Sequence, residues 1–217
     1  MPMKIDKREY RKIDAGQMET RAAEDGAKVV EGYATTFNSP YELWRDREMT
    51  VNEQVDRHAF DETDMSDVIM QYDHEGRVFA RIANGTLELA ADDHGLHIRA
   101  NLGGTEIGRQ LFEEIEGGYT NKMSFGFTVT GEERKTTKNA DGHITVLRTI
   151  TKIGKLFDVS AVSLPANDAT EISARAIGDG LIAEVLKEVQ AEEERQRRIG
   201  EIRKILKGET EDHETDE

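Results

Sequence analysis

The chain has 217 residues, a formal net charge of −15 and no cysteine. This length fits one domain, or one domain with an appendage. The negative charge argues against binding to nucleic acid or to an anionic membrane, and the lack of cysteine excludes disulfides, thiolate nucleophiles and cysteine-based zinc sites. No apolar run reaches the roughly 20 residues that span a bilayer, and residues 1–10 lack the apolar stretch of a signal peptide, so we expect a soluble protein made in the cytoplasm.

The N-terminal half changes character near Val29. Residues 1–27 are polar and show little periodicity, which predicts a flexible arm or an edge element. Downstream, the predicted elements are the strands 29–37 and 68–72, the hairpin 86–89 with 96–100, and an amphipathic helix over 105–116. Thr105 can cap this helix, and the glycine pair 117–118 ends it.

A strictly alternating strand follows at residues 123–129. Its large apolar side chains share one face, and Ser124 shares the other face with Gly126. Because Gly126 has no side chain, we expect the Ser124 hydroxyl to be uncrowded and open to a substrate backbone.

The C-terminal third contains a polar segment, two strands and a long helix. Residues 131–143 predict a mobile loop, and strands are expected near 144–150 and 156–164. Beyond residue 176 an amphipathic stripe predicts an exposed helix with a favourable Glu194–Arg198 pair, followed by an acidic, disordered tail. The domain prediction is therefore a flexible arm over 1–27, a folded domain over 28–176 and a helical extension with an acidic tail over 177–217.

Three residues could together carry nucleophilic chemistry. A serine nucleophile needs a base within hydrogen-bond reach, and that base needs a third group to hold its tautomer. Ser124 is either such a nucleophile or a polar residue on the wet face of its strand. His74, at a strand end, is either the base or a solvated turn residue. Asp158 lies inside an apolar strand and requires a partner, which is a histidine, a structural arginine or backbone amides.

Rival residues exist for two of these roles. His58 is an alternative base. Ser160 and Ser163 are alternative nucleophiles, although their strand is expected to be tightly packed.

Two further segments invite ligand-binding interpretations. His94 and His97, with Asp92 and Asp93, could be taken for a metal cluster, but histidines three apart in an extended hairpin point to opposite faces. The segment 103–105 at a helix start could hold an anion through free N–H groups. The simpler interpretation is that the two glycines form a flexible connection and that Thr105 caps the helix.

Several motifs stand in a fixed order along residues 29–175, namely Glu31-Gly32-Tyr33-Ala34, His74, Asp93 through Gly95-Leu96, Gly117-Gly118, Met123-Ser124-Phe125-Gly126-Phe127, Asp158-Val159-Ser160 and Pro165-Ala166-Asn167. This ordered set resembles the tailed-phage prohead proteases, capsid maturation enzymes that are distantly similar to the herpesvirus assemblins. The Ser-Phe-Gly-Phe strand and the Val-Ser-x-Val-Ser-x-Pro-Ala segment are its most specific parts.

The resemblance implies an α+β, β-rich fold: a closed β-barrel of the herpesvirus-protease-like type with a few surrounding helices and a C-terminal helical extension. It also implies a serine endopeptidase in which His74 is the base, Ser124 the nucleophile and Asp158 the orienting acid. Backbone amides around Ala166 and Asn167 are the suspected oxyanion hole. No cofactor and no metal are implied.

The implied substrates are the scaffolding region of the major capsid protein and the protease itself, inside the phage procapsid in the host cytoplasm. The helical extension could bind scaffold helices. The alternatives are a catalytically inactive capsid-assembly module with the same barrel and a binding module without hydrolytic activity.

Overall fold

The computed structural model describes residues 8–13, 18–22, 27–162, 185 and 187–204. The contacts divide the chain into two units, Met1–Ala174 and Arg175–Glu217. The elements described in the first unit are β1 (Glu9–Ile13), β2 (Glu19–Ala22), β3 (Lys28–Thr36), β4 (Tyr41–Arg45), β5 (Met49–Val55), β6 (Ile69–Tyr72), β7 (Glu75–Arg81), β8 (Leu87–Ala91), β9 (Gly95–Asn101), α1 (Glu106–Glu116), β10 (Lys122–Lys138) and β11 (Ile144–Val162).

The strands form two sheets. The larger sheet has the order β1-β10-β11-β5-β4, and the β6–β7 hairpin joins it through β11. The smaller sheet has the order β2-β3-β9-β8. Most neighbours are antiparallel, whereas β11 pairs parallel with both β5 and β6.

The predicted closed β-barrel is wrong: neither sheet closes on itself among the described residues. A barrel requires the first and last strands of one sheet to pair, and here β1 and β4 end the main path of the larger sheet. The reason lies in β11, which has 19 residues. Its first part pairs with β5 and its last part with β6, so the sheet branches along one long strand instead of curling round.

β10 and β11 form one long hairpin, which differs from the prediction for this region. The expected loop over 131–143 is largely strand, because β10 continues to Lys138, and the strands expected near 144–150 and 156–164 are parts of β11. The register shifts several times between Gly126 and Glu132, and the pairing continues through the polar stretch to Lys138 and Ile144. Polarity predicted a loop here because one face of these strands is solvated.

The N-terminal strands take edge positions, one of the two alternatives that the sequence left open. β1 pairs antiparallel with β10 at the end of the larger sheet, and β2 pairs with β3 at the end of the smaller one. β1 is thereby placed directly beside the strand that carries Ser124.

α1 confirms the predicted helix. The Thr105 side chain accepts a hydrogen bond from the Gly108 amide at 3.1 Å, as an N-cap does. Leu111, Phe112 and Ile115 are buried on one face. Removing such side chains from water is the main source of stability for a helix of this length.

Both sheets and α1 contribute to one hydrophobic core. Its largest fully buried side chains include Met70, Leu96, Ile98, Phe112, Phe125 and Phe127. Phe125 and Phe127 stack with their ring centroids 4.5 Å apart. The inward face of the alternating strand 123–129 is therefore part of the core, and the opposite face is free to carry polar groups.

In the second unit, residues 187–204 form a largely exposed helix. The predicted Glu194–Arg198 pair is formed, with Nη2 of Arg198 donating to Oε1 at 3.1 Å. The first apolar residues of the predicted stripe and the acidic tail lie outside the described residues. None of the described helices combines the length and the apolar character that crossing a lipid bilayer demands.

Candidate active site

The three side chains predicted to act together lie on adjacent parts of the larger sheet. Ser124 is on β10 and Asp158 on β11, and Gly126 stands opposite Asp158 in the register of these strands. His74 lies in the turn between β6 and β7, and β6 pairs with the other edge of β11. β11 is therefore flanked by the two elements that carry His74 and Ser124.

These side chains form a continuous line of hydrogen bonds. Nδ1 of His74 lies 2.5 Å from Oδ1 of Asp158, and Nε2 of the same ring lies 2.5 Å from Oγ of Ser124. The Ser124 and Asp158 side chains are fully buried, and that of His74 is 12% exposed. A hydroxyl, an imidazole and a carboxylate in this order fit the requirements of nucleophilic catalysis.

His74 has a positive φ, which is uncommon for residues other than glycine. Asp73 and His74 are the two central residues of the β6–β7 turn, with φ of 48° and 63°. Positive φ at both central positions defines a type I′ turn, which favours Asn, Asp and Gly. Backbone strain of this kind costs about 1–3 kcal/mol per residue and clusters at functional sites. This turn holds His74 at the tip of the hairpin, next to Asp158 and Ser124.

Asp158 has partners at both carboxylate oxygens. The Arg8 guanidinium donates to Oδ2, and the Ser160 hydroxyl donates to Oδ1 at 3.0 Å, in addition to the contact with His74. A buried carboxylate requires such partners, because an unpaired charge away from water is costly. The sequence left histidine, arginine and backbone amides open as partners, and the structure supplies a histidine and an arginine.

The expected open space beside Ser124 is absent from this structure. A Cβ atom at Gly126 would collide with Oδ2 of Asp158 and would lie 2.9 Å from a ring carbon of Tyr10. The glycine makes room for the acid, not for a substrate. Ser124 itself is covered by β1, and its hydroxyl donates to the backbone carbonyl of Arg11 at 2.8 Å.

Three neighbours of the site were not assigned to it from the sequence. Arg8 and Tyr10 reach the site from the N-terminal segment, and the Tyr10 ring centroid lies 4.5 Å from that of His74. Nothing local in the sequence connects residues 8–10 with position 74. The sequence presents Ser160 only as a rival nucleophile, although residues two apart on a strand share a face and this spacing indicates a contact with Asp158.

The rival base lies elsewhere. His58 is in an exposed turn, with Nδ1 3.0 Å from Oδ2 of Asp61. Ser160 is fully buried and bonded to Asp158. Ser163 and the suspected oxyanion hole around Ala166 and Asn167 lie outside the described residues.

The histidines of the β8–β9 hairpin pack on an aromatic ring. The His94 and His97 ring centroids lie 4.5 and 5.2 Å from that of Tyr33, whose hydroxyl donates to Asp92 at 2.8 Å. Asp92 also accepts the His94 amide at 2.7 Å. Within the described ranges, no group of three or more potential ligand residues is arranged to hold a metal ion.

A cleft opens beside the His74 hairpin. It has a volume of about 450 Å³ and lies between this hairpin and α1. Its lining includes Tyr72, Glu75, Phe79, Ile107 and Leu111. A cleft of this size with a mixed apolar and charged lining can accept a side chain of a bound peptide.

The chain also matches a known sequence family. Residues 16–181 match the family model described as caudovirus prohead serine protease. The match covers most of the chain, so the protein belongs to this family of serine proteases.

More specific comparisons are sparse. No curated protein matches the sequence. Among solved structures, the bacteriophage T4 capsid assembly protease, gp21, is similar to this chain at 12% sequence identity and a TM-score of 0.38, over 73% of this chain and 96% of that one.

Proposed function

We propose that this chain is a serine endopeptidase in which Ser124 is the nucleophile, His74 the general base and Asp158 the residue that orients the base. The hydrogen-bond line from Asp158 through both ring nitrogens of His74 to Ser124 carries this proposal. Membership in the prohead serine protease family supports the reaction class.

The proposed reaction begins with proton transfer from Ser124 to Nε2 of His74 as Oγ attacks the carbonyl carbon of a peptide bond. The Nδ1–H group of His74 donates to Asp158, which fixes the tautomer and stabilises the charged ring. His74 then returns the proton to the leaving amine, and an acyl-enzyme remains on Ser124. A water molecule, activated by the same histidine, hydrolyses the ester.

The proposed substrates are the scaffolding region of the major capsid protein and the protease itself, cleaved inside the procapsid during prohead maturation. Family membership supports this choice. The cleft beside the His74 hairpin offers a place for a substrate side chain next to the base.

Substitution of Ser124 by alanine, co-expressed with the matching capsid precursor, should lower processing by a factor of roughly 10⁴ or more. His74→Ala should cost a similar factor. Ser39→Ala, which removes an exposed serine, is the matched control and should process normally. Gel analysis of the precursor gives the readout, and equal processing by all variants would end the proposal.

A catalytically inactive capsid-assembly module is the alternative, and the full burial of Ser124 is the observation that favours it. An inactive module would leave Ser124 unmodified by an acylating serine probe under every condition. Mass spectrometry of the wild-type chain after incubation with a fluorophosphonate, in the presence and absence of capsid precursor, separates the two functions.

A further inference from the structure

The N-terminal strand β1 covers the nucleophile in the way an extended peptide would. It runs antiparallel to β10, with Arg11 opposite Phe125 and Lys12 opposite Ser124. The Arg11 carbonyl oxygen accepts the Ser124 hydroxyl at 2.8 Å. A main-chain carbonyl of β1 therefore lies at the hydroxyl that the proposed mechanism uses to attack a peptide carbonyl.

This contact prevents Ser124 from acting on another peptide. Ser124 has no exposed surface, so a second backbone cannot reach Oγ while β1 is present. A hydroxyl has a single proton, so Ser124 cannot donate to the Arg11 carbonyl and to Nε2 of His74 at the same time. The side chains of Ser124, His74 and Asp158 are therefore in contact with one another, but β1 lies where a substrate backbone would have to bind.

A buried guanidinium anchors β1. Nε of Arg11 donates to Oε1 of Glu53 at 2.5 Å, and Nη2 donates to Oε2 at 3.0 Å. Glu53 has no exposed surface, and Arg11 is 4% exposed. Burial alone would raise the pKa of Glu53, but the charges and hydrogen bonds of Arg11 and Arg148 hold that pKa below its usual value.

The anchor is polar, unlike the inner side of an ordinary core strand. The side chains of β1 that the structure describes belong to Glu9, Tyr10 and Arg11. Arg11 enters the inner side of the sheet next to Phe127, with the guanidinium carbon 5.6 Å from the ring centroid. A strand held by hydrogen bonds and ion pairs exchanges for a similar strand more readily than one held by a large apolar surface, because the incoming strand can restore each bond.

We propose that β1 occupies the edge of β10 to which a substrate peptide binds. A substrate peptide binds as an extended strand antiparallel to β10 in place of β1, with an arginine or lysine side chain against Glu53 and its own carbonyl at Ser124. This inference rests on the proposed function, and it adds a substrate class: extended segments with a basic residue at the position of Arg11.

The preference for a basic residue follows from Glu53. When β1 leaves, this buried carboxylate loses two hydrogen bonds from Arg11 and keeps those from Arg148, at 2.5 Å, and from Tyr41. A peptide with a neutral side chain at the position of Arg11 does not replace the hydrogen bonds that the Glu53 carboxylate has lost. Truncating one partner of a buried, hydrogen-bonded charge pair usually weakens binding by tenfold or more.

A cross-strand disulfide can test whether β1 must leave. Ile13 and Met123 are register partners, and antiparallel partners have Cα separations within the range that a disulfide bridges. The chain has no other cysteine, so the double variant Ile13→Cys/Met123→Cys forms one defined bond. Each single variant is the control for the loss of the original side chain.

The probe is a fluorescent peptide with the sequence of residues 7–14, and binding is measured by anisotropy in a Ser124→Ala background. The reduced double variant should bind the peptide, and the oxidised form should bind at least about tenfold more weakly. A second peptide with glutamine in place of the arginine that corresponds to Arg11 should bind the reduced form at least about tenfold more weakly than the first. Arg11→Gln in the chain itself should strengthen binding of the first peptide by loosening β1.

Equal binding to the oxidised and reduced forms, or no binding to either, would overturn the proposal. Equal affinity of the arginine and glutamine peptides would overturn the basic preference. With Ser124 restored, labelling by a fluorophosphonate should appear on reduction and disappear on oxidation. A chain that binds the peptide in this pattern but is never labelled would retain the binding edge and refute the hydrolase function.

Discussion

At the scale of single residues, the missing side chain of Gly126 leaves the space that the Asp158 carboxylate occupies. An added methyl group would collide with Oδ2 of Asp158, which is fully buried and cannot move into solvent. The carboxylate would have to turn away from Nδ1 of His74. The glycine that suggested an open Ser124 hydroxyl in the sequence in fact leaves room for the Asp158 carboxylate.

Gly126→Ala should therefore lower peptidase activity by at least about a hundredfold while the chain remains folded, because it displaces the group that holds the base. The control is Gly32→Ala in β3, where an added Cβ meets its nearest neighbour, Cγ of Met18, at an ordinary 3.5 Å. Processing of the capsid precursor and circular dichroism are the measurements. Full activity of Gly126→Ala would show that Asp158 does not need its observed position.

Ser160 should act as a positioning residue for Asp158. Ser160→Ala removes a 3.0 Å hydrogen bond to Oδ1, the oxygen that also contacts His74. A hydrogen bond to a charged group contributes about 1.5–3 kcal/mol, so the expected loss in kcat/KM is about ten- to a hundredfold. The pH profile of kcat/KM should shift, since the acid that stabilises charged His74 is altered. If Ser160→Ala lowers the stability of the protein but leaves the pH profile of kcat/KM unchanged, Ser160 has only a structural role.

At the scale of elements, α1 was predictable because its signals are local. The cap, the apolar stripe and the terminal glycines all lie within the helix or next to it. The β6–β7 hairpin was only half predicted. β6 has an apolar run, whereas β7 carries Arg77 and Arg81 and exposes most of its residues, so its pairing with β6 decided the strand.

Thr105→Ala should destabilise the protein by about 0.5–2 kcal/mol, because the Gly108 amide loses its acceptor at the helix start. Thr105→Ser retains an acceptor oxygen and is the matched control. Chemical denaturation measures the difference in the free energy of unfolding. If both variants lose the same stability, the contribution comes from the threonine methyl group and not from the cap.

At the scale of the whole molecule, a buried ionic network joins every strand on the main path of the larger sheet. Its members are Glu9 and Arg11 on β1, Tyr41 on β4, Glu53 on β5, Glu132 on β10 and Arg148 on β11. Arg148 donates from Nε to Glu132 at 2.7 Å and from Nη1 to Glu53 at 2.5 Å. Through this network β1 is linked to the other four strands of the main path.

Stability should fall as the pH drops below about 4.5, through this network. The pKa of Glu53 is lower in the folded chain than its ordinary value of 4.5. A lowered folded-state pKa means that the stabilisation is complete above the ordinary value and is lost as the pH falls toward the folded one. The unfolding free energy measured between pH 3 and pH 7 checks this dependence.

Glu53→Gln should reduce that pH dependence and cost about 3–5 kcal/mol, because it leaves two buried guanidinium groups without their shared carboxylate. The control is Glu62→Gln, which breaks an exposed pair with Lys152 and should change stability by less than about 1 kcal/mol. A Glu53→Gln variant as stable as the wild type would contradict the importance of the network.

The sequence by itself determined the local elements and the chemical candidates. Strict alternation over 123–129 placed Ser124 opposite a buried face, and the capped stripe over 105–116 defined α1. The residue types and their order along the chain also indicated His74, Ser124 and Asp158 and the family, whose model the chain matches. The catalytic roles of the three residues remain predictions.

Only the tertiary structure decided which strands pair and what covers the site. The open sheets, the branching along β11 and the burial of Ser124 under β1 depend on contacts between residues far apart in the chain. Hydrophobic periodicity records which face of a strand is buried but not which strand lies beside it. Glu53 is the clearest example of what the sequence could not predict. Its burial depends on Arg11 and Arg148, which lie on other strands, and no local sequence pattern connects them with Glu53.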